Sequence, residues 1–246
     1  MIRPARLFLC ALQFLTRLPT LSVDFQPDDV TRSAPFYPVV GWIVGALCAG
    51  VLLVASRFWP GLPAGALAIA AGLLITGGFH EDGLADTTDA LGGGWTRPRM
   101  LEIMHDSRIG SFGTLAVCLS LLARWVLLSA MAPERFPLYI LAAHVLCRWS
   151  TLPLGTFVES ARTDGLGAKL AHKIPLSSAA VGTVFAFAIV GAALRTQAII
   201  PVITVSVITL LSALYYRSQI GGITGDCFGA TNQLAEIAVY LCGVWV

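Results

Sequence analysis

Seven stretches of this chain are apolar enough, and all but the last long enough, to be read as membrane crossings: 36–56, 61–79, 111–131, 136–154, 176–194, 197–216 and 232–246. A helix needs about 20 mostly apolar residues to cross the hydrocarbon, and the last stretch is short, so the sequence predicts about six to seven spans. Composition agrees. The 246 residues are 56% hydrophobic and 12% charged, and 24 more are glycine. Soluble domains carry about 25% charged residues, and a water-soluble surface needs that charge. A net charge of +2 gives no basic footprint, so nucleic acid is excluded as a partner. The expected fold is therefore an all-α, polytopic integral membrane helical bundle in the lipid bilayer, a single domain over 1–246.

The N-terminus resembles a signal peptide, with Arg3 and Arg6 ahead of the apolar run Leu7 to Leu15. Arg17 and Pro19 stand where a small-residue cleavage site belongs, and the run is too short to span. An amphipathic helix lying on the membrane is the better expectation. The six cysteines are scattered mostly through apolar runs and imply no disulfide or zinc framework.

Assigning alternate loops to the two sides places eleven Lys and Arg on the side of the N-terminus and three (Arg57, Arg135, Arg195) on the other. The positive-inside rule makes the first side cytoplasmic. Nearly all the acids fall on that side too. A pore or transporter would spread polar groups through the depth of the spans and show related half-repeats, and neither is seen. Arg124, Arg148 and Glu236 are the exceptions, lying within or at the start of spans. They are expected to face the bundle interior or an aqueous cavity.

The most informative segment is Gly77-Gly78-Phe79-His80-Glu81-Asp82-Gly83-Leu84-Ala85-Asp86-Thr87-Thr88-Asp89, which follows an apolar span directly. If helix 61–79 continues past the glycines, Asp82, Asp86 and Asp89 stand at i, i+4 and i+7, one face of a helix. Carboxylates so stacked repel one another unless a cation sits among them. All-oxygen donors point to Mg²⁺ or Mn²⁺, bound together with substrate phosphates. The bland alternative is a solvated acidic loop. His80 reads as a base, a donor to phosphate or a helix-end group.

Downstream, Arg97 to Met104 has helical apolar spacing, and Asp106 and Arg108 follow it. Asp106 is a fourth metal-ligand candidate. Arg108 is a candidate fork for a phosphate oxygen, unless the two are a plain surface ion pair. The loop with Arg162, Lys169, His172 and Lys173 suits phosphates or anionic headgroups. The turn Gly221 to Ala230 presents Asp226, and it lacks the P-loop ending.

His80 to Asp89, Leu101 to Met104 and Asp106 to Gly110 together resemble the signature of the cobalamin synthase family, the adenosylcobinamide-GDP ribazoletransferases. Phe14 to Pro19, Phe36 to Gly41, Gly165 to Gly167 and Gly222 to Ala230 resemble its other blocks, in the right order over nearly the whole chain. The chain departs from the pattern at Glu81, His105 and Gln233, where apolar, basic and carboxylate residues respectively are more usual.

The resemblance implies a Mg²⁺-dependent enzyme of the bacterial inner (plasma) membrane with a cytoplasmic active site. It would join adenosylcobinamide-GDP to α-ribazole or its 5′-phosphate, releasing GMP. On that reading His80, Asp82, Asp86 and Asp89 are the catalytic candidates. Asp82, Asp86, Asp89 and Asp106 hold metal, and Arg108, Lys169, Lys173 and Asp226 bind substrate. A homo-oligomer, or a complex with other cobalamin-pathway enzymes, is compatible with it. The Asp82–Asp86 spacing also resembles membrane CDP-alcohol phosphotransferases, without completing their Asp-Gly-x-x-Ala-Arg pattern. A lipid substrate on a CDP donor is therefore the alternative.

Overall fold

The structure is a computed structural model and describes residues 3–21, 23, 26, 28–162 and 173–245. Among these residues every element is helical, and the one strand-like feature is an isolated parallel bridge between Ser160 and Ile223. The expected all-helical bundle is what forms. Helix α1 (Arg3–Leu15) is the amphipathic N-terminal helix, with Cys10, Ala11 and Leu15 turned inward. It is tied to the short α2 (Asp29–Arg32) by the Arg6 guanidinium, which donates to both oxygens of buried Asp29 at 3.0 and 2.6 Å.

Then follow α3 (Tyr37–Ala55), α4 (Leu62–Thr76), α5 (Phe79–Gly93), α6 (Arg97–Ile103), α7 (Ser111–Ala130), α8 (Phe136–Trp149), α9 (Thr151–Phe157), α10 (Leu176–Leu194), α11 (Ile199–Ile220) and α12 (Gly225–Trp245). Ala34–Ala55, Ser111–Ala130 and Leu176–Ile220 are long and apolar enough to cross a membrane. The last is broken at Arg195 (φ 53°) and by a 3₁₀ turn. Trp149 donates to Thr183 of α10 at 2.9 Å and also lines a groove with Ser206 and Thr209 of α11. Positions 183 and 206 would stand about 35 Å apart on a straight helix. The chain therefore doubles back at Arg195.

Among the described residues fewer stretches are long and apolar enough to span than the six to seven expected, and 136–154 is split into α8 and α9 at Ser150. Two further elements differ from the sequence expectation. Helix 61–79 does not run straight into the acidic segment. Gly77 and Gly78 both take left-handed backbone (φ 71° and 70°), and α5 leaves α4 at 89°. Only glycine adopts two such conformations in succession at low cost. The acids thus ride on a separate helix outside the apolar run. The final helix begins at Gly225, not near 232, because Thr231, Asn232 and Gln233 are buried against other helices and need not be apolar to belong to it.

Helix α12 is an interior element, packing against α5, α7, α8 and α11. It crosses α5 backbone to backbone. A Cβ on Gly83 would lie 2.8 Å from the Asp226 carbonyl oxygen, and one on Gly229 would lie 3.1 Å from the Gly83 Cα. This close crossing brings the second turn of α5 beside the first turn of α12.

Candidate active site

At that crossing the structure gathers Asp82, Asp86 and Asp226. Asp82 is exposed, and Asp86 and Asp226 are half-buried. The Asp86 carboxyl is pushed up to about 7, first by partial burial and then by the neighbouring charges of Asp226 and Asp82. Burial also raises Asp226, opposed by a hydrogen bond from Thr224 Oγ1 at 3.1 Å and by the nearby Arg162. Like charges gathered in this way favour a proton or a cation among them. The donor set is oxygen throughout, with neither sulfur nor imidazole in it, which suits Mg²⁺.

Arg162 is the site residue that sequence spacing did not place here. The Ser160–Ile223 bridge pins its segment to the turn before α12, through Ala161 N to Ile223 O (2.8 Å) and Ile223 N to Glu159 O (2.9 Å). Its Nη2 donates to the Leu101 carbonyl at 2.6 Å, which fixes the guanidinium near Asp86 and Asp226. The sequence marked the Arg162 loop as suited to phosphates but not its place beside Asp86 and Asp226, and it did not single out Thr224.

The other candidates are dispersed. Asp89 is buried and accepts N–H groups from Gly110 (2.7 Å) and Gly113 (2.8 Å), with one oxygen on each. It thereby satisfies orphan donors at the start of α7 and sits where the helix dipole favours a negative charge. Asp106 and Arg108 form a forked pair with Nη2 to Oδ2 at 2.6 Å, and the Arg108 side chain is 87% exposed. The fork lowers the Asp106 carboxyl to about 2. Lys173 is exposed, and its backbone N–H donates to Gly155 O at 3.1 Å. Lys169 lies outside the described residues.

His80 turns away from the acids into the bundle. It lines an internal cavity of about 20 Å³ with Arg124, His144, Arg148 and Glu236. The three charged span residues flagged by sequence meet here, as expected for ionisable groups at that depth. Arg124 Nη2 lies 3.0 Å from Glu81 Oε1, and its Nη1 lies 3.5 Å from Glu236 Oε1. Gln233 Nε2 donates to Glu81 Oε1 at 3.1 Å. Glu81 of α5 and Gln233 of α12, two of the positions singled out in the sequence, are thus in contact.

His144, Cys147 and Glu236 also have potential ligand atoms within 4.8 Å of one another. However, Arg148 Nη1 is 3.2 Å from His144 Nδ1, and a guanidinium can only donate. The imidazole lone pair is therefore taken. With two arginines beside it, this cluster is a charge-balanced polar core and a poor place for a metal ion.

The family model described as cobalamin-5-phosphate synthase matches residues 7–244. The chain belongs to this family. Relatives named adenosylcobinamide-GDP ribazoletransferase bear it out. The protein of Ralstonia pickettii (strain 12J) is 38% identical over 93% of this chain and 91% of its own. That of Mesorhizobium japonicum is 41% identical over 95% and 90%. That of Shewanella frigidimarina is 35% identical over 98% and 94%. No solved structure matches the chain.

Proposed function

We propose that this chain catalyses the reaction its relatives are named for, transferring the adenosylcobinamide phosphate of adenosylcobinamide-GDP to α-ribazole or its 5′-phosphate, with release of GMP. The observation that supports the chemistry is the meeting of Asp82, Asp86 and Asp226 at the α5–α12 crossing with Arg162 alongside. Mg²⁺ held by these carboxylates would supply the positive charge that a pyrophosphate needs as its bridging bond breaks.

The chain's own residues do the rest. The ribazole hydroxyl forms the new P–O bond at the corrinoid-side phosphorus, and the bond from that phosphorus to the GMP oxygen breaks. The hydroxyl proton passes to a carboxylate of the cluster. Arg162, its guanidinium fixed by the Leu101 carbonyl, retains donors for the phosphate oxygens. Thr224 orients Asp226. Asp89 holds the end of α5 against α7 and so keeps the acidic face in place. We place the site on the cytoplasmic face of the bacterial inner membrane. The Lys and Arg asymmetry supports that orientation.

Donor choice separates this reading from a lipid phosphotransferase. Purified protein given adenosylcobinamide-GDP and α-ribazole is expected to form cobalamin, and given a CDP-linked lipid and an alcohol to release no CMP. CMP release without corrinoid turnover would overturn the reading.

A further inference from the structure

Helix α5 is held to its neighbours at both ends. At its start Glu81, one residue before Asp82, puts Oε1 3.0 Å from Arg124 Nη2 of α7 and accepts from Gln233 Nε2 of α12 at 3.1 Å. Near its end Asp89 takes the two N–H groups that open α7. About 12 Å of helix separates these two anchors. Asp82 and Asp86 lie between them, and both are more exposed than either anchor.

The first anchor is itself supported. Ser120 Oγ donates to Gln233 Oε1 at 3.0 Å, and Tyr240 OH donates to Glu236 Oε1 at 3.0 Å. Arg124 stands between Glu81 and Glu236, and the three side chains are only 5–11% exposed. An ion pair this deep adds little net stability, because desolvation offsets the attraction. Its geometric role is separate: it ties the first turn of α5 to α7 and α12. Neither Glu81 Oε2 nor Arg124 Nη2 has a hydrogen-bond partner among the described residues, so a single oxygen carries the anchor, by charge toward Arg124 and by the hydrogen bond from Gln233.

We infer that Glu81 is a positioning residue, and that its pairing with Arg124 sets the first turn of α5 so that Asp82 and Asp86 meet Asp226. The consequence for metal binding rests on the function proposed above, whereas the positioning of α5 does not.

The test compares Glu81→Gln with Glu236→Gln in the full-length, detergent-solubilised protein. Both variants remove one carboxylate charge from Arg124, and only the first loosens the hold on α5. Two readouts are taken: hydrogen–deuterium exchange over residues 79–93, and Mn²⁺ affinity by electron paramagnetic resonance. Glu81→Gln is expected to speed exchange across that segment and to weaken Mn²⁺ binding about tenfold, as loss of a supporting group does. Glu236→Gln is expected to do neither. Unchanged exchange in Glu81→Gln, or equal loosening in both variants, would overturn the inference. If exchange behaves as expected but wild type and Asp82→Asn bind Mn²⁺ alike, the positioning stands and the metal reading fails.

Discussion

Replacing Asp86 by Asn is expected to abolish turnover while leaving the protein folded. The loss should be at least ~10²-fold, the scale seen when one preorganised electrostatic group is removed from a reacting centre. Asn keeps the shape but not the charge, so an oxygen ligand and a proton acceptor are weakened together. Stability should move the other way. The folded-state carboxyl is raised to about 7 by burial and by Asp226 and Asp82. An acid raised in this way costs stability as pH climbs from its unfolded value toward 7, and the cost is then constant. Without metal, the variant should therefore melt no lower than wild type at pH 8. Full activity in Asp86→Asn would contradict the site. A collapse in melting temperature would mean that the residue is structural.

Arg124→Met is expected to give the largest loss of stability in the chain. It leaves Glu81 buried without its cation and Glu236 with only Arg148 of the same cavity. Breaking a buried pair by removing one partner costs about 3–5 kcal/mol. For a chain of this size that corresponds to a fall of about 10 °C in melting temperature, read in detergent by a thermal shift or circular dichroism. The double variant Arg124→Met with Glu236→Gln should recover part of the fall, because one buried carboxylate charge is gone. A change under about 2 °C in the single variant would show that water reaches this cluster and that it is not the sealed core described here.

The sequence shows these sites to very different degrees. The apolar stretches and the amphipathic start are local properties and could be read directly. The bend at Gly77–Gly78 could be suspected, but its 89° angle follows from how α4 and α5 pack. The i, i+4, i+7 acids do share one helix, as spacing alone suggested. Helical spacing is silent on what each acid faces, however. Asp89 is claimed by the start of α7, 21 residues on, and Asp106 by Arg108, two residues on. The third carboxylate at the centre comes from Asp226, which only the glycine-to-glycine crossing of α5 and α12 brings near. Arg162 arrives through the isolated bridge to Ile223. Such long-range meetings have no periodic signature. The resemblance named the family from whole blocks, and blocks do not say which residue within them touches which.

GMP release by the purified, detergent-solubilised protein is the direct test of the proposed reaction. It would be given adenosylcobinamide-GDP and α-ribazole, first with Mg²⁺ and then with EDTA. Release with Mg²⁺ is expected to be matched by cobalamin formed, both are expected to be lost with EDTA, and both to return when Mg²⁺ is added back. No release from a protein shown to be folded, or release that EDTA does not affect, would contradict the proposed reaction.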